Sequence, residues 1–281
     1  MSLEIVRSDG VFGVEIRGVD LSRPLDDGTF EQIESAFDEH GVVFFREQRI
    51  TPAQQVAFGR CFGEVEHNYN SEEWGVSGQP ELFTISNIEQ DGRLLGPRRV
   101  GERWHSDMCY AARPPRATML YALEVPVLHG LSLGDTEFAN AAAAWDALPE
   151  QTRRYMRPLR GVFDFKGRKR GNPVSESVSS RYPPVEHPLV RRHPRTDRES
   201  LYVMRDDCTS VVGLSETESQ SVVAALADHI IRPEFIYRHR WQVGDVLMWD
   251  NCTVQHRAVI DYALPQRRLM HRLTIAGTEP L

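Results

Sequence analysis

The sequence predicts a mainly β fold, an antiparallel barrel or sandwich with helices packed on its outside. Many short runs of alternating or wholly apolar residues are separated by turn signals, and the helical patterns are concentrated early in the chain and in a few insertions. The 281 residues contain no internal repeat and no stretch of linker composition. We therefore interpret residues 1–281 as a single domain.

Eight segments have the composition of β-strands. Most alternate apolar and polar side chains, whereas Val42 to Phe45 is wholly apolar and is typical of a strand buried on both faces. Asp91-Gly92 and Pro126 are turn signals that end neighbouring strands. In chain order, the predicted strands span residues 12–19, 42–45, 82–88, 119–125, 235–241, 244–251, 255–259 and 269–275.

Five segments predict helices that begin at recognisable caps. The Thr51-Pro52 pair is typical of a helix start, and residues 215–218, Ser-Glu-Thr-Glu, fit a capping box. Gly41 ends the first helix. In chain order, the predicted helices begin at Asp27 or Thr29, at Thr51, around Asn140, after Pro149 and at Ser215.

Two stretches predict loops. Residues 63–78 are polar and aromatic and include His67. Residues 163–198 are basic, contain prolines and show little periodicity, which predicts a mobile or disordered functional loop.

Composition disfavours several classes of function. A formal net charge of −7 argues against nucleic-acid binding, which needs a basic face. The chain has no signal-peptide pattern and no apolar run of membrane-spanning length, so we expect a cytoplasmic protein with no membrane contact. The four cysteines are scattered and include no C-x-x-C pair, so we expect reduced, mostly buried thiols rather than a metal cluster or redox dithiol.

The stretch from Arg103 to Tyr110 contains a His-x-Asp pair, His105 and Asp107. If this stretch is a strand, both side chains point to one face, and a further histidine could complete a 2-His-1-carboxylate metal site with open positions. Such a site suits Fe(II) and oxygen. The spacing alone is equally compatible with an imidazole hydrogen-bonded beside a surface aspartate.

Two arginines lie on the last predicted strand. Arg268 and Arg272 share one face with Met270, so their guanidinium groups would point together into the space beside His256. Two adjacent like charges are unfavourable without an anion, and arginine suits bidentate binding of a carboxylate or sulfonate. A surface ladder paired to acidic neighbours would explain the same spacing.

These residues resemble those of the Fe(II)- and 2-oxoglutarate-dependent dioxygenases of the taurine and 2,4-dichlorophenoxyacetate dioxygenase type. The resemblance runs from the amino-terminal strand to nearly the last residue and rests on seven motifs in the family's order. They are Trp104-His105-Ser106-Asp107, Gly134-Asp135-Thr136-Glu137-Phe138, His187-Pro188-Leu189-Val190, Arg232-Pro233-Glu234-Phe235, Trp249-Asp250-Asn251, Gln255-His256-Arg257-Ala258 and the pair Arg268 and Arg272.

The resemblance implies a fold, a metal site and a reaction. The fold is a double-stranded β-helix, or jelly roll, in which His105, Asp107 and His256 bind Fe(II). The reaction oxidises a C–H bond of a small anionic organic substrate while 2-oxoglutarate and O2 become succinate and carbon dioxide. Because Asp107 is present, the implied outcome is oxygen transfer rather than halogenation.

The resemblance also implies binding residues. Arg268 would pair with the distal carboxylate of 2-oxoglutarate, assisted by Thr136. Arg272 would hold the anionic end of the substrate or the proximal end of 2-oxoglutarate. Three further positions fall where the family places pocket residues, although each could be ordinary loop packing: His67, Asn87 and Phe165.

Asp207 stands where relatives commonly carry an aromatic residue against the substrate. A buried carboxylate is costly unless paired, so Asp207 either faces solvent or meets a cation. The second case predicts a substrate that carries an amine as well as an acid, with Asp207 at the amine and Arg272 at the acid.

Three alternatives remain open at this stage. The same cofactors could act on an amino-acid-derived substrate by hydroxylation, desaturation or oxidative decarboxylation. The His105, Asp107 and His256 set could instead hold zinc in a hydrolase. The chain could also be a metal-binding protein without catalysis, and a homo-oligomer is compatible with all of these.

Overall fold

Two β-sheets packed face to face form the centre of the molecule, and their strands are antiparallel except for the parallel pair β2 and β3. The computed structural model describes residues 3–8, 10–67, 71–166 and 176–281. Its strands are β1 Glu4–Arg7, β2 Val14–Arg17, β3 Val42–Phe45, β4 Gly75–Val76, β5 Gln79–Ser86, β6 Glu89–Gln90, β7 Arg93–Leu94, β8 Ala117–Glu124, β9 Val127–Leu128, β10 Leu131–Ser132, β11 Thr136–Asn140, β12 Arg160–Phe163, β13 Val185–Pro188, β14 Val190–Arg192, β15 Glu199–Leu201, β16 Cys208–Val211, β17 Ile236–His239, β18 Val246–Asp250, β19 Val254–Ala258 and β20 Leu269–Ile275. Its helices are α1 Asp27–His40, α2 Pro52–Cys61, α3 Ser71–Trp74, α4 Ala141–Asp146, α5 Glu150–Met156, α6 Glu176–Ser179 and α7 Glu216–Ile230, with a 3-10 turn at Pro233–Phe235.

The larger sheet has eight strands in the order β1-β2-β3-β18-β8-β20-β5-β4, and the smaller has three in the order β17-β11-β19. Apolar side chains from both sheets fill the space between them, including Phe44, Leu120 and Met270 from the larger and Phe138 and Val254 from the smaller. This is the predicted jelly roll, and the eight predicted strands are all present with ends that shift by a few residues.

Two helices cover the outer face of the larger sheet. Helix α1 packs Ile33 and Phe37 onto it, and α2 contributes Val56 and Phe58. The β3 run between the helices is fully buried, as its apolar sequence predicts. Outer helices therefore seal one face of the sheet, and its opposite face is left to build the interior site.

The helix caps largely follow the predictions. The first one was wrong by a short distance, because Asp26 rather than Asp27 or Thr29 is the N-cap of α1 and its carboxylate accepts the Thr29 N–H at 2.9 Å. The left-handed Gly41 ends this helix, with φ of 69°. Thr51 caps α2 in a full capping box.

A third layer is built from β12, β13 and β16 with α4 and α7, and it packs around Trp145, Phe163 and Tyr202. The prediction that residues 163–198 lack regular structure was wrong for much of the described part, which contains α6, β13 and β14. Residues 167–175 of that stretch lie outside the described residues. Ser215 forms the predicted capping box with Glu218 at the start of α7.

Three smaller findings concern the remaining predictions. The predicted loop 63–78 contains α3 and β4, and its residues 68–70 lie outside the described part. Cys61 carries an exposed thiol, whereas the thiols of Cys109, Cys208 and Cys252 are buried, and these four cysteines form no disulfide among the described residues. In the part of the chain that the structure describes, no helix has the length and apolar character needed to cross a membrane.

Candidate active site

Two main-chain hydrogen bonds join His105 and His256 in an isolated antiparallel β-bridge. The His105 N–H donates to the His256 carbonyl at 3.1 Å, and the His256 N–H donates back to the His105 carbonyl at 2.9 Å. His105 and Asp107 do not lie on one strand, which was the condition considered for the His-x-Asp pair. The chain turns through residues 107–110, with Met108 at φ of 44°, so a turn rather than strand alternation directs Asp107 towards the histidines.

The side chains of His105, Asp107 and His256 form a buried cluster. The Asp107 Oδ1 atom lies 3.6 Å from His105 Nε2 and 3.8 Å from His256 Nε2. The two imidazole rings lie 4.2 Å apart, centroid to centroid. All three predicted metal ligands are therefore brought together.

The tautomer of His105 suits metal binding. Its Nδ1 atom lies 2.7 Å from the carbonyl of Arg103, so Nδ1–H donates to that carbonyl and the Nε2 lone pair points towards Asp107. Two imidazole nitrogens and one carboxylate oxygen form the donor set of the facial sites that bind non-haem Fe(II). The residues present thus fit that metal.

Asp107 is ionised in this setting. Its burial opposes ionisation, but the Arg272 guanidinium and the two imidazoles outweigh burial and hold the pKa of the carboxyl well below its usual range. One Arg272 Nη2 atom lies 2.6 Å from Asp107 Oδ1. Arg272 therefore places a positive charge directly beside the Asp107 carboxylate, a candidate metal ligand.

A residue that no sequence motif indicated also binds Asp107. The Thr118 hydroxyl on β8 donates to Asp107 Oδ2 at 2.6 Å, and the Asn251 amide donates to Thr118 Oγ1 at 3.1 Å. Thr118 lies eleven residues beyond Asp107 and has no spacing signal. Asn251 belongs to a recognised motif, but only the pairing of β18 with β8 shows that it faces Thr118.

Arg268 occupies a separate buried niche. Its guanidinium carbon lies 6.0 Å from the centre of the Trp241 ring and 5.5 Å from that of Tyr262, and its Nη1 donates to the Gly134 carbonyl. Within the described ranges, no carboxylate oxygen comes within 4.0 Å of this guanidinium. Burial lowers the pKa of Arg268, against the opposing influence of Tyr262 and Asp135. The surface-ladder alternative fails for Arg268, which is 5% exposed.

Thr136 lines the same niche. It lies on β11 next to the Gly134 turn, and its hydroxyl oxygen accepts the Trp241 indole N–H at 3.0 Å. Because the oxygen is the acceptor in that bond, the hydroxyl hydrogen can be donated to a bound anion. Thr136 and Arg268 thus both contact the Trp241 ring, and their predicted joint role at the distal carboxylate of 2-oxoglutarate stays a prediction. Trp241, Tyr262 and Gly134 were not singled out from the sequence as site residues.

The Asn87 side chain binds the main chain just before β20. Its Oδ1 accepts the Arg268 N–H and its Nδ2 donates to the Gln266 carbonyl, both at 2.8 Å. Both polar ends of the amide are used, so Asn87 orients Arg268.

Phe165 is a wall residue in an aromatic cluster. Its ring centre lies 4.5 Å from that of Tyr110 and 5.0 Å from that of Tyr182. Tyr110 ends the turn that begins at Asp107. The predicted pocket role of Phe165 is compatible with this position and stays a prediction.

Asp207 and His67 lie in opposite environments. The alternative that Asp207 faces solvent was wrong, because the residue is 0% exposed. Burial, with the neighbouring Asp207 carboxylate, raises the pKa of Cys208 to about 12. His67 is exposed and adjoins residues 68–70, which lie outside the described part, so its predicted pocket role stays a prediction.

A second buried cluster, formed by His193, Asp250 and Cys252, has the composition of a metal site. Its histidine tautomer does not suit a metal, because the nitrogen that faces the cluster carries the proton. The His193 Nδ1 atom accepts the backbone N–H groups of Arg195 and Thr196 at 3.2 and 3.1 Å. The neutral ring therefore carries its proton on Nε2, which lies 3.5 Å from Asp250 Oδ2. The nitrogen facing the cluster is a donor, so we interpret it as a hydrogen-bonding core.

The jelly roll, the two histidines with one carboxylate and the buried arginine define the class of Fe(II)- and 2-oxoglutarate-dependent dioxygenases. The chain belongs to the family described as "Taurine catabolism dioxygenase TauD, TfdA family", which matches residues 4–274. The protein is accordingly a dioxygenase that uses Fe(II), 2-oxoglutarate and O2.

Several relatives and solved structures are similar to nearly the whole chain. The alpha-ketoglutarate-dependent 2,4-dichlorophenoxyacetate dioxygenase of Cupriavidus pinatubonensis is 34% identical over 94% of each chain. The alpha-ketoglutarate-dependent sulfate ester dioxygenase of Pseudomonas putida is 33% identical over 100% of this chain and 92% of its own. The crystal structure of a taurine dioxygenase from Burkholderia xenovorans has a TM-score of 0.84 and 35% identity, over 100% of this chain and 91% of its own.

Proposed function

We propose that the protein oxidises a C–H bond of a small organic acid and that His105, Asp107 and His256 hold its Fe(II). The observation that carries this proposal is the pairing of a metal-type cluster with Arg268, a buried guanidinium that has no carboxylate partner in the described part of the chain. A buried charge without a partner is costly. The distal carboxylate of 2-oxoglutarate would supply the missing negative charge.

The protein's own groups would bind and orient the co-substrate. Arg268 and the Thr136 hydroxyl would hold the distal carboxylate, with the Trp241 and Tyr262 rings limiting where it can lie. Fe(II) with 2-oxoglutarate and O2 supplies the oxidation, in which 2-oxoglutarate becomes succinate and carbon dioxide and one oxygen atom reaches the substrate. The burial of all three metal-binding side chains excludes bulk water from this chemistry.

We propose that Arg272 binds the anionic end of the substrate. Its side chain is 14% exposed and lies over the Phe83 ring, whereas Arg268 is buried deeper. Because Arg272 Nη2 lies 2.6 Å from Asp107 Oδ1, an anion held by this guanidinium lies next to the metal. That position would present a nearby C–H bond of the same molecule for oxidation.

The relatives support an acid as the substrate. Their names specify 2,4-dichlorophenoxyacetate, sulfate esters and, in Acinetobacter baylyi, alkyl sulfates. We propose a substrate of this kind, a small organic molecule with one sulfonate, sulfate or carboxylate group. We further propose that the whole chain acts as one catalytic domain, either alone or in a homo-oligomer.

The first test is an anaerobic titration of the Fe(II)-loaded protein with 2-oxoglutarate, followed by visible absorption. We expect a weak charge-transfer band, and we expect Arg268→Ala to raise the 2-oxoglutarate concentration needed for it roughly 100-fold, since losing one partner of a buried charge pair costs about 3 kcal/mol. Arg267→Ala is the matched control. Arg267 adjoins Arg268 but is exposed and paired with Glu124 at 2.8 Å, so it should not change the titration.

The second test identifies the substrate class. Succinate release would be measured with sulfonates, sulfate esters, aryloxy acids and amino acids, in the wild type and in Arg272→Ala. We expect one acid class to stimulate release in the wild type and the variant to lose that stimulation. Absence of the band in properly iron-loaded wild type would overturn the proposed site, whereas stimulation by amino acids alone would replace the proposed substrate.

A further inference from the structure

The two oxygens of the Asp107 carboxylate have different surroundings. Oδ1 faces the imidazole nitrogens of His105 and His256 and the Arg272 guanidinium. Oδ2 points to the opposite side and accepts the Thr118 hydroxyl at 2.6 Å. Oδ1 is therefore the oxygen placed nearest to the space that a metal bound to both imidazoles would occupy.

The Thr118 hydroxyl has a defined donor direction. It has one hydrogen, and the Asn251 Nδ2 group, which can only donate, lies 3.1 Å from its oxygen. The hydroxyl must accept from Asn251 and therefore gives its hydrogen to Asp107. Thr118 is 0% exposed, so no bulk water competes for either bond.

Asn251 also holds the backbone of the same ligand. Its Oδ1 accepts the Asp107 N–H at 3.3 Å and the Trp249 indole N–H at 3.2 Å. One amide thus binds the main chain of Asp107 directly and its side chain through Thr118. These hydrogen bonds close a ring that connects the end of β18 and strand β8 to the turn at Asp107. Both strands lie in the centre of the larger sheet.

We infer that Thr118 and Asn251 are positioning residues that make Asp107 a one-oxygen ligand. A carboxylate that offers both oxygens to a metal takes two coordination positions, whereas one that offers a single oxygen leaves a position open. The Thr118 hydroxyl occupies Oδ2, so the carboxylate cannot rotate to present both oxygens without breaking a buried hydrogen bond. Thr118 and Asn251 would thereby keep three positions open for 2-oxoglutarate and O2.

This inference rests on the proposed role of Asp107 as a metal ligand, and its test separates the two. Co(II) binding would be measured by anaerobic titration in the wild type, Asp107→Ala, Thr118→Val and Thr118→Ser. The intensity of the visible Co(II) bands, which depends on coordination number, would be recorded at saturation. If Asp107→Ala no longer binds Co(II), Asp107 is established as a metal ligand. If Asp107→Ala binds Co(II) as the wild type does, the proposed metal site itself is overturned.

Thr118→Val keeps the shape and removes the hydroxyl. We expect its Kd for Co(II) to rise about 10- to 100-fold, the usual effect of losing a hydrogen bond to a metal ligand, and its band intensity to change. Thr118→Ser, which restores the hydroxyl, should return the Kd to within about threefold of the wild type. Wild-type affinity and spectrum in Thr118→Val would overturn the inference.

Two further variants keep the test decisive if Thr118→Val does not fold. Asn251→Ala removes the group that orients Thr118, and we expect the same loss of affinity and change of spectrum. Ser106→Ala is the matched control, because Ser106 lies between His105 and Asp107 in the sequence, is similarly buried and donates to the Asn251 main-chain carbonyl at 2.8 Å rather than to Asp107. If Asn251→Ala and Ser106→Ala change the Kd for Co(II) and the Co(II) spectrum equally, general destabilisation of the protein explains both variants. That result would overturn the inference.

Discussion

At the scale of single residues, the site depends on how closely each charged group is enclosed. Arg268 is confined by two rings and by the Gly134 carbonyl, and Asp107 by Thr118 and Arg272. These contacts leave each charged group little freedom to reorient. Small changes beside them should alter binding more than fold.

Gly134 gives the clearest example. A Cβ atom at this position would lie 2.2 Å from Arg268 Nη1 and 2.9 Å from Tyr262 Cε1, and the backbone is left-handed with φ of 72°. We expect Gly134→Ala to displace the guanidinium and raise the KM for 2-oxoglutarate about tenfold or more, because overpacking typically costs 1–3 kcal/mol. The KM would be measured by succinate formation.

Gly130→Ala is the control for backbone strain. Gly130 has a similar φ of 79°, but a Cβ atom there would meet nothing within 4 Å. We expect its KM for 2-oxoglutarate to match the wild type. An equal rise in both variants would show that strain, rather than the clash with Arg268, is responsible.

At the scale of elements, the site depends on contacts between strands that are distant in sequence. Strand β13 contacts the turn that carries Asp107, because the Nε2–H of His187 donates to the Ala111 carbonyl at 2.9 Å. Burial lowers the pKa of His187 to about 4, against the opposing effect of that carbonyl. The imidazole is therefore neutral in the folded protein at neutral pH.

This neutral histidine predicts an acid-dependent loss of stability. The folded pKa lies below the unfolded value of about 6.5, so protons bind the unfolded chain more tightly. The stabilisation is complete above pH 6.5 and is lost as the pH falls towards 4. We expect His187→Gln, which keeps an N–H donor, to reduce the drop in unfolding free energy between pH 7.5 and pH 5 by about 1–2 kcal/mol.

Urea unfolding at the two pH values would measure that drop. His129→Gln serves as the control, since His129 lies exposed in the turn between β9 and β10. A drop in His187→Gln equal to that of the wild type would show that another group is responsible for the acid sensitivity.

At the scale of the whole molecule, the proposed metal site lies where the two sheets meet. His256 belongs to the smaller sheet, whereas Thr118 and Arg272 belong to the larger. A metal held by His105, Asp107 and His256 would therefore stabilise the packing of one sheet on the other.

Metal removal should consequently lower the melting temperature. At a metal concentration 100 times its Kd, binding adds about 2.7 kcal/mol, which corresponds to a rise of roughly 5 °C in Tm for a chain of this size. Differential scanning calorimetry with Co(II) or with a chelator would measure the difference. We expect no metal-dependent rise in His256→Ala, and a full rise in that variant would place the ion elsewhere.

Much of the fold and the core of the site could be predicted because their signals are local. Alternation and wholly apolar runs predicted the strands, and Thr51 and Ser215 predicted their helix starts, since caps act on the next three residues. The seven motifs in order placed the metal-binding candidates together. The regular elements in residues 163–198 were missed because short strands without a helical or alternating pattern carry little local signal.

The sequence by itself determined the class of protein through seven motifs, among them those of His105, Asp107, His256 and Arg268, whose order resembles that of the iron- and 2-oxoglutarate-dependent dioxygenases. Residue spacing alone left a zinc hydrolase and a non-catalytic metal-binding protein open. Tertiary structure alone decided the geometry of the Asp107 carboxylate, the candidate metal ligand. Asp107 lies in the turn at residues 107–110 rather than in a strand, and it is reached by Thr118 from β8 and by Asn251 from the end of β18, 144 residues further along the chain. Hydrogen-bond partners are set by the register between strands, a long-range property that no local pattern encodes.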